Sequence, residues 1–389
     1  MDRLHIAFFG PANSGKSTLV NAICGQEVSL VSPIPGTTTD PVRKTIELPG
    51  LGPCVLIDTA GLDDTSVLGA ERLRRTHAVL DETDIAVVLL PPPNEGQQEQ
   101  KTGNNTAGVP EIGTLLSRAD IPIVYYTRGE SVDSLLRRIA AIRPAEEERF
   151  LTGDLVKAGD TVLLVMPQDS EAPKGRLILP QVQVIRELLD RKCNPICCTP
   201  ESLNSAIAAL KEPPALVITD SQVFGLVNRS IPQEWPLTSF SILLAATKGD
   251  IRTFVEGAEA IGRLSSRSRV LIAEACTHVP DTEDIGRVKI PKLLRNRVAG
   301  SGAPDDLQID MAAGNDFPED LSPYDLIIHC GACVAGKQLV RSRTRKALRS
   351  GVPITNYGIA LAFLQGILGR VVIPGPSPRT RREGSTYRV

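Results

Sequence analysis

Short apolar runs separated by polar, glycine-containing stretches recur along the chain at the spacing of alternating strands and helices. Ile6-Ala7-Phe8-Phe9 opens the series and is apolar at consecutive positions, as a strand covered on both faces requires. Residues from there to about 150 predict a doubly wound sheet. A polar stretch from Pro91 to Pro110, rich in Gln, Asn and Gly, has little to bury and reads as a surface loop. The pattern restarts with Val162-Leu163-Leu164-Val165, a helix around Gln181 to Asp190, a strand at Ile196 and a helix from about Pro200 to Lys211. The runs Ala215-Leu216-Val217-Ile218 and Phe240-Ser241-Ile242-Leu243-Leu244 predict two more strands, and this second unit ends near Gly262. From about Ser266 a third unit holds the runs Val270-Leu271-Ile272-Ala273 and Leu326-Ile327-Ile328 and two C-terminal helices. The boundaries fall at 1–160, 161–265 and 266–389. The tail from Pro374, with Arg379, Arg381, Arg382 and Arg388, has the composition of a disordered segment.

At 389 residues the chain is too long for one ordinary core, and about 150 residues per domain gives roughly two or three domains. The net charge of -2 gives no reason to expect a nucleic acid as the main partner. Nothing longer than a core strand or helix is continuously apolar, and Met1-Asp2-Arg3-Leu4 leads into a strand and not a signal peptide. A cytoplasmic protein with no membrane partner is expected. In that reducing compartment the eight cysteines are thiols or ligands and not disulfides. Cys24 and Cys54 read as buried filler, and Cys193, Cys197 and Cys198 as packing around a buried strand whose adjacent side chains face opposite ways.

Candidate chemistry lies in two places. Gly10-Pro11-Ala12-Asn13-Ser14-Gly15-Lys16-Ser17 is a phosphate-binding loop directly after a strand and before a helix. The amides of Asn13, Ser14, Gly15, Lys16 and Ser17, with Thr18 beside them, would cradle phosphates at a helix N-terminus. Lys16 would neutralise the β and γ oxygens, and the Ser17 hydroxyl would hold Mg2+. Asp58-Thr59-Ala60-Gly61 follows the strand Val55-Leu56-Ile57, so Asp58 can reach the magnesium shell and the Gly61 amide can sense the γ-phosphate. Gly36-Thr37-Thr38-Thr39-Asp40 between them reads as a switch segment with Thr38 as the magnesium ligand.

On these strings the first domain resembles the translational GTPases of the Era and TrmE (MnmE) group, which share Asp-Thr-Ala-Gly and Gly-Thr-Thr. The resemblance implies a P-loop GTPase domain. In potassium-activated members an asparagine at the position of Asn13 helps hold a K+ that takes the part of an arginine finger; the plainer reading is that Asn13 only caps the loop. Where that group carries Asn-Lys-x-Asp for guanine, this chain has Thr127-Arg128-Gly129-Glu130 after a strand. Glu130 can accept from guanine N1 and N2, but Thr127 lacks an amide, so relaxed guanine selectivity is expected. Leu62 stands next to Gly61 where a glutamine would position water, and slow hydrolysis follows.

The second place is a pair of strings, Cys276-Thr277-His278 and His329-Cys330-Gly331-Ala332-Cys333, each after an apolar strand. Three thiols and two imidazoles suit a metal or iron-sulfur site. Their spacing resembles the signature of the HydF maturation GTPases of iron-iron hydrogenases. The strings Ala172-Pro173-Lys174-Gly175-Arg176-Leu177-Ile178-Leu179-Pro180-Gln181 and Asp284-Ile285-Gly286-Arg287-Val288-Lys289-Ile290-Pro291 extend that resemblance along the whole chain. It implies that Cys276, Cys330 and Cys333 bind three irons of a 4Fe-4S cluster, the fourth iron being open to a diiron precursor. His278 and His329 either ligate that iron or hydrogen-bond the surroundings of the cluster. It further implies a homodimer through the middle domain, two radical-SAM maturation enzymes upstream and apo iron-iron hydrogenase as recipient. Three cysteines and one histidine equally satisfy tetrahedral zinc, and the competing class is a ribosome- or tRNA-associated GTPase with a structural zinc site. The basic residues Lys337, Arg341, Arg343, Arg345, Lys346 and Arg349 after Cys333 read as a solvated face or as a site for an anionic precursor or an acidic partner.

Overall fold

The computed structural model describes residues 3–11, 14–25, 41–59, 78–90, 116, 121–143, 150–168, 177–275, 284–299, 306–314, 316–333 and 335–375. The chain divides into two compact units, Met1–Glu146 and Glu147–Val389. The expected loop between Pro91 and Pro110 lies outside the described residues, as does the tail from residue 376.

The first unit is built on strands β1 (Leu4–Phe9), β2 (Val42–Leu48), β3 (Gly52–Asp58), β4 (Ile85–Leu90) and β5 (Ile123–Thr127). They lie in the order β2-β3-β1-β4-β5, with β2 antiparallel to β3 and the other pairs parallel. Ile6 and Phe8 of β1 pack with Leu56 and Val87 on one face. Ala7 and Phe9 pack with Ile57 and Val88 on the other. This two-sided burial is why β1 is apolar at every step from Ile6 to Phe9. Edge strand β2 instead alternates half-buried and exposed positions over most of its length. Together the central position of β1 and the helix Lys16–Cys24 after it set the phosphate loop at the carboxyl end of the sheet.

The second unit holds two four-stranded parallel sheets. One runs β7-β6-β8-β9, from β6 (Thr161–Val165), β7 (Asn194–Cys198), β8 (Leu216–Thr219) and β9 (Leu237–Ser239). The other runs β11-β10-β12-β13, from β10 (Arg269–Glu274), β11 (Gln308–Ala313), β12 (Leu326–His329) and β13 (Ile354–Asn356). Both sheets therefore have the same strand order, second-first-third-fourth, and one continuous apolar core joins them, with Leu163 and Val217 of one and Leu271 and Ile328 of the other.

Two expectations are corrected here. The run Phe240-Ser241-Ile242-Leu243-Leu244 is not a strand but the start of the helix Phe240–Lys248. A continuous apolar run carries no period that separates a buried strand from a buried helix. The Ser239 side chain, accepting from the Ile242 amide, caps the run as a helix, and Phe240, Ile242, Leu243, Leu244 and Ala245 are all buried. It offers no pairing edge. The second correction concerns β7, which is an edge strand with Asn194 and Cys197 exposed and not a buried one. Its alternation of facing is as expected.

The shared strand order has a counterpart in sequence. Gly175-Arg176-Leu177-Ile178-Leu179-Pro180-Gln181 matches Gly286-Arg287-Val288-Lys289-Ile290-Pro291-Lys292 at Gly, Arg and Pro. Pro236 to Gly249 matches Pro353 to Gly366 at Pro, Thr, Ile, Leu, Ala and Gly in the same offsets. In both stretches a three-residue strand passes directly into a helix, and the cap is in the same place: Ser239 accepts from Ile242 N, and Asn356 accepts from Ile359 N. Each repeat also covers the last strand of the other. The helix Ile251–Ala258, which follows the first repeat, lies on β13, where the Thr355 hydroxyl donates to Phe254 O at 2.7 Å. A Cβ on Gly257 would stand 2.0 Å from Ile354 O, so glycine is required for this close approach. Conversely, Val371, after the second repeat, bridges to Leu237 of β9. No helix among the described residues is long and apolar enough to cross a membrane.

Candidate functional site

In the first unit, β1 is followed by Gly10 and Pro11, and the helix Lys16–Cys24 is entered through Gly15, whose φ of 96° is left-handed and suits glycine. Lys16 is buried, and its ammonium donates to Gly10 O at 3.0 Å and Pro11 O at 2.7 Å, lying across the loop. Ser17 and Thr18 begin the helix. The Ser17 hydroxyl donates to Asp58 Oδ2 at 2.6 Å, which joins the two side chains expected to share magnesium. Asp58 is fully buried at the end of β3, and the next residue, Thr59, donates to Phe8 O at 2.6 Å and ties that turn to β1. Among the described residues the buried Ser14 hydroxyl has no hydrogen-bond partner, and a buried polar group of this kind is suited to a phosphate oxygen. Asn13, Thr38 and Gly61 lie outside the described residues.

Glu130 does not stand ready for a base. Arg138 binds both of its carboxylate oxygens, at 2.7 and 2.6 Å, and the Ser134 hydroxyl donates to the same group at 2.8 Å. The Tyr126 hydroxyl donates to Glu130 O at 3.0 Å and closes the turn from the backbone side.

In the second unit, β10 and β12 lead into the two cysteine strings. They are adjacent parallel strands, with Ala273 paired to His329, so both strings leave the same end of the sheet. Cys276 and His278 lie outside the described residues. Among the described residues no three His, Cys, Asp or Glu side chains gather into a metal-holding group. The Cys330 sulfur accepts from the amides of Ala275 at 3.0 Å and Ala332 at 3.4 Å. Amide donors of this kind stabilise a thiolate and tune an iron-sulfur cluster. Cys333 is exposed. Between the two thiols Ala332 has φ of 50°, a left-handed conformation that is strained for a residue with a Cβ.

His329 is buried, and both of its ring nitrogens are engaged. Nδ1 lies 2.7 Å from Cys330 O, and Nε2 lies 3.1 Å from Arg343 Nη1. Nε2 therefore accepts from the guanidinium and Nδ1 carries the proton. Burial first, then the Arg343 charge, push the imidazole pKa down to about 3, against the Cys330 carbonyl. A ring held neutral by these two contacts orients the cysteine string.

The sequence pattern did not single out the residues around this string individually. Arg343 is buried among them, donating also to Glu274 O at 3.1 Å and to Gly314 O and stacking over Phe317 at 4.8 Å. The basic segment 337–349 thus divides: Arg341 and Arg349 are exposed, while Arg343 is structural. Glu274 is buried, with its carboxylate 3.0 Å from Arg287 Nη2 and 3.4 Å from the Tyr357 hydroxyl. A Cβ on Gly286 would meet that hydroxyl at 2.0 Å, so glycine in Asp284-Ile285-Gly286-Arg287 makes room for Tyr357. Burial first, then the neighbouring Cys330, Glu274 and Asp284, push the tyrosine pKa up. The tyrosine is kept as a neutral donor.

A family model described as 50S ribosome-binding GTPase matches residues 5–125. The Hydrogen maturase F dimerization domain matches residues 151–249, and the Hydrogen maturase F tetramerization domain matches residues 252–374. The tRNA modification GTPase MnmE of Methylorubrum populi is 40% identical over 118 residues, 30% of this chain and 25% of that protein. MnmE of Methylobacterium radiotolerans is 35% identical over 165 residues, 38% of this chain and 34% of that protein. The chain thus spans about a quarter to a third of these relatives. A solved structure of Era from Aquifex aeolicus bound to GDP.AlF4- is 19% identical, covering 51% of this chain and 93% of that one, with a TM-score of 0.28. Two maturase domains in tandem behind a P-loop GTPase domain place the chain in the hydrogen maturase F family.

Proposed function

We propose that the chain is a GTP-binding scaffold that holds a 4Fe-4S cluster and a diiron precursor and delivers the diiron unit to apo iron-iron hydrogenase. The observation that carries this reading is the Cys330 thiol, placed between two amide donors at the end of a strand adjacent to the one that leads to Cys276. Cys330 and Cys333, with Cys276, would hold the cluster. When bound, it would supply one iron without a thiol ligand, to which a precursor can bridge. His329 orients Cys330, and the Tyr357 hydroxyl, bonded to Glu274, is near enough to Cys330 to feel its charge. His278 is left as a ligand or an orienting group.

Nucleotide hydrolysis gates exchange with two radical-SAM enzymes upstream and the hydrogenase downstream. In the GTPase domain the Ser17–Asp58 pair and Lys16 would hold Mg2+ and the phosphates. Thr38 would complete the metal's shell when triphosphate is bound, Gly61 would sense the γ-phosphate, and Asn13 would hold K+. Slow turnover follows from Leu62 beside Gly61. Self-association has support from the maturase domains and from the edge position of β7. The setting is cytoplasmic, where thiols stay reduced.

Anaerobic iron and sulfide analysis with EPR, comparing the unmodified chain with Cys330→Ser, tests the reading. About four irons per chain, with a reduced-cluster signal lost in the variant, is the expected result. Stoichiometric zinc without sulfide would overturn it and favour the RNA-associated class of GTPase.

Base selectivity is a separate expectation. With Glu130 held by Arg138 and Ser134, the preference for GTP over ATP should stay below about a hundredfold, roughly two hydrogen bonds' worth of discrimination. Arg138→Ala, by releasing the carboxylate, should raise that ratio. Competition titrations with a fluorescent nucleotide measure both, and a larger preference in the unmodified chain would sink the expectation.

A further inference from the structure

The two sheets of the second unit meet through equivalent helices, Phe240–Lys248 of the first repeat and Tyr357–Leu364 of the second. They pack so closely that a Cβ on Gly358 would lie 2.3 Å from Ser241 Oγ and 3.3 Å from Ile242 Cγ1. Lys248 and Gln365 occupy matching places at the ends of the matched stretches, and each reaches into the opposite repeat. Gln365 Oε1 would lie 3.0 Å from a Cβ on Gly225, at the start of the helix Phe224–Ser230 after β8. Lys248 reaches the loop after β12, which is the cysteine loop. Its ammonium is buried and donates to Ala332 O at 2.5 Å, Ala335 O at 2.8 Å and Cys333 O at 3.2 Å.

We propose that Lys248 is a positioning residue for the cluster: a cation supplied by the repeat without the cysteine strings, which holds the Cys330-Gly331-Ala332-Cys333 turn in its ligand-presenting shape. Resting on the iron-sulfur reading above, this assigns the middle domain a direct part in cluster binding. One ammonium gathers three carbonyls of this loop, while the amide of Ala332 donates to Cys330 Sγ. The same pull offsets the left-handed backbone of Ala332. A charge-assisted bond to each carbonyl is stronger than a neutral one, so a single side chain can hold a turn that its own sequence does not favour. A cation bonded to the carbonyl of Cys333 would also favour the reduced, more negative state of a cluster held there.

The test compares the full chain with Lys248→Met and Lys248→Arg. Hydrogen exchange of amides 330–336 in the metal-free protein should quicken at least tenfold in Lys248→Met and much less in Lys248→Arg. After anaerobic reconstitution, iron release to a chelator should also be at least tenfold faster in Lys248→Met, with a more negative reduction potential and an altered reduced-cluster EPR spectrum. GTP hydrolysis should be unchanged in both variants. Unchanged exchange in Lys248→Met, or unchanged chelator release and potential, would overturn the proposal. If the unmodified chain takes up no iron and sulfide, the cluster reading fails by itself, and hydrogen exchange alone then decides the role of Lys248. Should Lys248→Met not fold, Lys248→Gln is carried through the same measurements with the same criteria.

Discussion

Lys16→Ala is expected to weaken GTP binding by at least about a hundredfold and to abolish hydrolysis. The ammonium is buried and bridges Gly10 O and Pro11 O, so it shapes the loop as well as meeting the phosphates. A charge-assisted hydrogen bond in such a setting contributes about 1.5–3 kcal/mol, and two of them exceed the roughly 2.7 kcal/mol that a hundredfold change requires. Titration with a fluorescent GTP analogue, with and without Mg2+, reads the loss. Affinity within tenfold of the unmodified chain would show that the backbone amides alone carry binding. Iron and sulfide loading should not change, because every side chain assigned to the cluster belongs to the second unit. The variant also tests gating, since full hydrogenase maturation without hydrolysis would remove GTP from the transfer step.

The phosphate site was legible in sequence because its requirements are local. A strand, a glycine with φ of 96°, a lysine and a hydroxyl follow one another within a few residues, and each is needed for a chemical reason visible in the string. The strands leading to the cysteines were legible because runs such as Leu326-Ile327-Ile328 are short, rich in β-branched residues and bounded by turn residues such as Pro323 and Gly331. Phe240 to Leu244 was not, because five successive apolar or small residues fit a buried helix as well as a strand. The choice there fell to Ser239 as a cap and to Gly249 at the other end. Least legible was the support of the cysteine loop. Lys248 and Ala332 are 84 residues apart, and Arg343 reaches Glu274 O across 69. No periodicity marks such a pair, and a run of basic residues looks like a solvated face until packing buries one of them. The internal repeat was present in the sequence, but it rests on scattered matches whose meaning depends on two sheets having one strand order. Function was read from the family's strings, and the means by which this chain holds them came from packing.

Arg343→Met should be the most destabilising single change to the cysteine site. Methionine fills much of the same space beside Phe317 but donates nothing. Gly314 O and His329 Nε2 would lose the guanidinium as donor, and Glu274 O would keep only the Gly314 amide, in a region where Glu274, His329 and Arg343 are all buried. A buried acceptor left without a donor costs about 1–3 kcal/mol; with some relaxation the loss of unfolding free energy should be on the order of 4 kcal/mol, among the larger values for one substitution. Arg341→Ala, an exposed change only two residues away in the same helix, should stay within about 0.5 kcal/mol. Urea unfolding followed by circular dichroism separates the two, and an unchanged midpoint for Arg343→Met would show that water replaces the guanidinium without penalty. The same variant bears on the cluster. Without Arg343, His329 loses the bond to Nε2 and its ring is held only through Cys330 O, so iron loading should fall even at temperatures where the protein stays folded. Loading equal to that of the unmodified chain, in a folded variant, would show that the orientation of His329 is irrelevant to the thiols beside it.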